Sequence, residues 1–89
     1  MGYSDELERL VTLSRRQIEV VCADETQIPE YIEMCRVKFD EHLVEFDDAH
    51  DDDDVEAQFH WQEAVAWRAT AAVLTVMLDR TVLAHQRSA

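Results

Sequence analysis

Two residue pairs have the spacing to ligate a metal: His42 with Glu45, and His60 with Glu63. One helical turn separates the members of each pair, so an imidazole and a carboxylate could share a face. Helical di-metal carboxylate sites use the reverse order, Glu-x-x-His, and add further Glu from two other helices. Here a first helix could offer only Glu6, Glu8 and Glu19. In a helical hairpin centred near Asp48, His42 falls opposite about Asp54 and His60 opposite about Arg36. The pairs then lie at different levels, and Arg36 puts a cation beside His60. This predicts His42 as a polar seam residue, His60 on the surface, and neither a metal nor a cofactor.

The densest chemistry is acidic. Of the 17 residues from Asp40 to Glu56, ten are Asp or Glu and none is Lys or Arg. The whole chain carries −12, and residues 40–63, with eleven acids and no Lys or Arg, account for −11. A solvated turn and a helix start that favours anions explain two or three of these acids. Ten repel one another and weaken the compact state, so a compensating benefit is expected. Carboxylates spaced like backbone phosphates attract a basic, nucleic-acid-binding protein. The expected contact residues are Asp40, Glu41, Glu45, Asp47, Asp48, Asp51, Asp52, Asp53, Asp54 and Glu56. A calcium loop is not predicted. Started at Asp48, the EF-hand template meets His50 at its third position, Asp53 where glycine belongs and Phe59 at its last; started at Asp51, it meets Glu56 and Gln62.

Other chemistries lack their parts. Ser4, Ser14 and Ser88 have no base nearby in sequence, and neither Cys22 nor Cys35 has a neighbouring His. Gly2 is the one glycine, so no glycine-rich phosphate loop can form. Eight bases against twenty acids leave no basic stripe for direct nucleic-acid binding. The two cysteines would sit about five residues out of register across the first turn, too far for a disulfide. They read as reduced, mostly buried thiols of a cytoplasmic protein. The start of the chain is acidic and lacks the apolar run of a signal peptide. The longest apolar stretch, residues 64–78, falls short of the roughly 20 residues of a membrane span.

These residues must be positioned by helices. One Gly and one Pro in 89 residues leave too few turn-formers for a β-rich fold. Leu7, Leu10, Val11, Ser14, Ile18 and Val21 recur at steps of three and four, which predicts a first helix over residues 5–23, capped by Ser4. A turn follows at residues 23–27. Ile28, Ile32, Cys35, Phe39, His42 and Phe46 form a heptad seam, predicting a second helix with Pro29 in its first turn and an end near Asp47. A third helix is expected from Asp52 or Asp53 to about His85, amphipathic to Glu63 and apolar on several faces beyond it. Two short helices cannot cover such a helix all round. The stripe Trp67, Ala71, Leu74, Leu78 and Val82 is therefore expected to meet a second copy of the chain.

The sequence thus predicts an all-α, single-domain, three-helix bundle completed by dimerisation. Its expected function is non-enzymatic: an acidic ridge that engages and masks a basic protein partner, by the physics that inhibitors, immunity proteins and DNA mimics use. The alternatives are a structural subunit of a larger complex and, less in keeping with the ligand spacing, a small metal-dependent helical enzyme.

Overall fold

The computed structural model describes residues 2–49 and 54–88. The chain is all-α, with four α-helices among the described residues: α1 (Tyr3–Leu10), α2 (Arg15–Ala23), α3 (Ile28–Ala49) and α4 (Asp54–Ser88). A single 3-10 turn, Glu25–Gln27, joins α2 to α3. Among the described residues there is no strand.

The expected first helix is divided in two. Val11 adopts a left-handed conformation (φ 54°) and closes α1 through its N–H to the Glu8 carbonyl, at 3.2 Å. Ser14 then caps α2. Its hydroxyl accepts from the Gln17 N–H at 3.2 Å, and the Gln17 side chain accepts from the Ser14 N–H at 2.8 Å. This reciprocal capping box satisfies two otherwise orphaned donors, so a new helix start competes with continuation. The Thr12 hydroxyl in the intervening loop bonds that of Thr70 on α4 and ties the break to the long helix. Ser4 does not cap α1. Gly2 occupies that place, and its carbonyl accepts from Asp5 and Glu6.

Elsewhere the elements lie close to expectation. Pro29 is the second residue of α3, where its missing N–H costs nothing. Asp24 accepts from the Thr26 N–H (3.0 Å) and hydroxyl (2.6 Å), which holds the turn before α3. Those hydrogen bonds, the hydroxyl's foremost, hold its carboxyl below the usual range.

α3 and α4 form an antiparallel hairpin that is the main packing of the fold. The protein measures 56 × 21 × 17 Å, and α4, at about 52 Å, sets the long axis. The core occupies one end only. Leu7, Leu13, Ile18, Val21, Ile28 and Cys35 close around Leu74 and Met77, with Trp67, Ala71 and Leu78 packed against them. Arg80 stacks over Tyr3, 5.6 Å from its ring centre, and fastens α1 to the far end of α4.

At the other end the hairpin continues as a two-helix arm. Between Phe39 and Ala66, the fully buried apolar residues among those described are Ala57 and Ala64. The seam there is filled by half-buried Phe39, His42, Leu43 and Phe46 of α3.

The cysteines remain free, as the spacing predicts, but only Cys35 is buried. Cys22 is exposed on α2, against the expectation that both thiols are mostly covered. No helix of the described residues is long and apolar enough to cross a membrane.

Candidate functional site

The arm carries eight of the 17 described acidic residues and much of the exposed apolar surface. Asp40, Glu41, Glu45, Asp47 and Asp48 of α3 are exposed, as are Asp54 and Glu56 at the start of α4. Asp51, Asp52 and Asp53 lie outside the described residues. Among the described arm acids, Glu41 has a basic neighbour in Lys38, 3.7 Å away. Interleaved with the carboxylates are exposed Val44, Val55, Phe59 and Trp61. Phe46 and Trp61 pack at a tilt across the two helices, with ring centres 5.5 Å apart. Beside them is a shallow cleft of about 400 Å³ lined by Phe46, Asp54, Ala57, Gln58 and Trp61.

The two histidines converge within this arm. His42 Nδ1 and His60 Nδ1 are 3.0 Å apart, one donating and the other accepting. The opposite ring nitrogen of His60, Nε2, lies 3.7 Å from a carboxylate oxygen of Glu56. One ligand-type atom each from Glu45, Glu56 and His60 falls within 4.8 Å of the others. This corrects the expectation that the pairs sit at different levels with Arg36 beside His60. α3 runs on to Ala49, so the hairpin centre moves from Asp48 to about residue 51, and 42 then faces 60 as 45 faces 56. Glu63, the expected partner of His60, is not in the cluster; Glu56 takes that place, one turn earlier on the same helix. The residue types were legible in the sequence, but the register that joins them follows from where α3 ends and α4 begins.

The expected dimer stripe faces inward instead. Leu74 has 0% exposure within the single chain, Trp67, Ala71 and Leu78 pack on the core, and Val82 alone of the five is exposed. α3 and α1 pack along α4, and Leu13, Ile18 and Val21 complete the core that takes this face. What remains open on α4 is a different row, Trp61, Val65, Ala72, Val76 and Leu83.

Comparison with known proteins adds one finding. A family model described as the TY-Chap C-terminal domain matches residues 1–81. The chain belongs to this family. No curated protein and no solved structure matches it. The match spans α1, α2, α3 and most of α4, so core and arm both belong to the TY-Chap C-terminal domain unit. Membership points to a chaperone-like helical domain that engages a protein partner.

Proposed function

We propose that this TY-Chap C-terminal domain is a non-enzymatic binding module whose arm holds a basic, partly apolar segment of a protein partner. The observation that carries this reading is the mixture on the arm. Exposed Val44, Val55, Phe59 and Trp61 alternate with exposed carboxylates, on a pair of helices that leaves the core behind. The acids would steer a cationic segment toward the arm, and the aromatic rings would retain it. An acidic surface that only confers solubility does not account for rings as large as Phe59 and Trp61 left half exposed among the charges.

The probe for a test is a synthetic amphipathic peptide with Lys on one face and Leu on the other, beside an acidic peptide of the same apolar pattern. The basic peptide should bind, and its association should slow at least tenfold between about 0.1 M and about 1 M salt, as the screening length falls from about 10 Å to about 3 Å. Changing Asp51, Asp52, Asp53 and Asp54 to Asn should slow association more than it speeds release. Phe59→Ala with Trp61→Ala should chiefly speed release. Equal binding of the acidic peptide, or unchanged kinetics in both variants, would overturn the proposal.

A second reading concerns self-association, and the open row on α4 favours it. Trp61, Val65, Ala72, Val76 and Leu83 form one face of a helix, and its flanking charges, Arg68 and Asp79, have opposite sign. In an antiparallel pair of α4 helices related by a two-fold axis near Ala72, each Arg68 comes within about a turn of the other copy's Asp79. A parallel pair would set like charges together. Sedimentation at micromolar concentration decides this reading.

A further inference from the structure

We infer that Glu45, Glu56 and His60 form a binding site for a first-row divalent transition-metal ion of the zinc type. His42 acts as the positioning residue that fixes the ligating face of His60. The inference stands apart from the partner reading, since it needs only the geometry between α3 and α4.

The two nitrogens of His60 have separate tasks. Nδ1 is committed to His42 at 3.0 Å. When His60 donates from Nδ1, its Nε2 carries the lone pair, and Nε2 is the nitrogen beside the Glu56 carboxylate. An imidazole fixed in this way, one nitrogen hydrogen-bonded and the other turned to carboxylates, is the arrangement metal-binding histidines use to set tautomer and orientation. The third ligand comes from the facing helix. Glu45 of α3 brings a carboxylate oxygen within 4.8 Å of the other two ligand atoms.

With bonds of about 2.0–2.2 Å, neighbouring ligands around zinc are about 3.3–3.6 Å apart. The 3.7 Å between His60 Nε2 and Glu56 is already near that value. The His60 side chain, at 14% exposure, is the anchored member, while Glu56, at 55%, can turn in to close the remaining distance. Electrostatics favour the same end. Residues 40–63 carry eleven acids and no Lys or Arg, and a cation between Glu45 and Glu56 lowers the mutual repulsion of that region. One imidazole with two carboxylates suits zinc, cobalt or manganese better than calcium or magnesium, which take oxygen alone. Three protein ligands leave further positions to water. Because Glu45 is on α3 and Glu56 and His60 are on α4, the ion would clip the two helices of the arm together.

The experiment is calorimetric titration of the chelator-stripped chain with zinc, paired with cobalt titration followed by its visible absorption. The expected result is one ion per chain, with no displacement by millimolar calcium or magnesium and a rise in melting temperature on loading. His60→Ala should abolish binding. Glu45→Gln and Glu56→Gln should each weaken it at least tenfold. His42→Ala should weaken it roughly 10–100-fold, the usual effect of losing an outer partner. His42→Gln, which can still accept from Nδ1, should recover most of that loss. The Asp51, Asp52, Asp53 and Asp54 to Asn variant should bind zinc as before. Should any variant fail to fold, nitrogen NMR of the unmodified chain supplies the decision, with Nε2 of His60 shifting on zinc addition and Nδ1 keeping its proton. Absence of saturable zinc binding, a site that survives His60→Ala, or one lost with the four Asp would each overturn the inference. Any of the last two would leave the His60–Glu56 contact as an ordinary ion pair of neighbouring turns.

Discussion

Cys22 and Cys35 show how position alone separates two residues of one type. Cys35 is sealed among Ile28, Leu74 and Met77, and burial pushes its thiol up to about 11. Cys22 is exposed, and burial raises its thiol as well. The thiolate is the reactive form, so iodoacetamide at pH 8 should label Cys22 in the folded protein and Cys35 only after unfolding. Mass spectrometry of the labelled chain checks this, and equal labelling would contradict the burial of Cys35. Stability should also respond to base. A thiol that holds its proton more tightly when folded contributes fully below its unfolded value near 9, and loses that contribution as pH rises toward about 11. The melting temperature should fall across that window, and less steeply in Cys35→Ala than in the unmodified chain.

At the scale of elements, the break between α1 and α2 has two halves of opposite sign. The Ser14 and Gln17 capping box stabilises the start of α2, so Ser14→Ala should cost about 1 kcal/mol. Val11 is a β-branched residue at φ 54° with 82% exposure, so it bears left-handed strain with little burial to offset it. Val11→Asn should therefore stabilise the fold, by about 1 kcal/mol, since Asn tolerates that conformation. Denaturant unfolding of the two variants measures both effects. A neutral Ser14→Ala together with a destabilising Val11→Asn would mean that residues 5–23 form one continuous helix in solution. The hydroxyl pair Thr12 and Thr70 holds the same junction from the side of α4, where Thr70 is fully buried and also bonds the Ala66 carbonyl at 2.8 Å.

The whole molecule is a compact core at one end and an acidic arm at the other. This division sets what a test of self-association must use. Leu74→Glu would place a charge in the core and report on folding rather than on assembly. Val65→Glu with Val76→Glu alters only exposed positions on the open row of α4. Sedimentation at micromolar concentration should show the unmodified chain as a dimer and this variant as a folded monomer. A monomer in both cases would eliminate the self-association reading while leaving the arm proposal in place.

Much of the architecture was legible along the chain. Scarcity of Gly and Pro, the heptad seam from Ile28 to Phe46, Pro29 at a helix start and the long apolar run after Glu63 together determined an all-α fold ending in a long helix. The concentration of charge between residues 40 and 63 was also local, and needed no structure to be seen. The capping box at Ser14 was written in the sequence too, but the apolar stripe running through it suggested one helix, and only packing onto Thr70 shows which signal prevails. Three further matters were decided by tertiary structure. A hairpin of two long helices doubles any change in its centre, so a three-residue shift moves the facing residue by six and decides whether His42 meets Asp54 or His60. A helix apolar on several faces does not reveal which face its neighbours will cover, so Leu74 went into the core and Val76 was left outside. Cys22 and Cys35, alike in sequence, were separated by which of them the packing turned into the core. Spacing within one helix is a local property that sequence carries, whereas register between helices is a sum over both lengths and the turn, fixed only when the packed elements choose it.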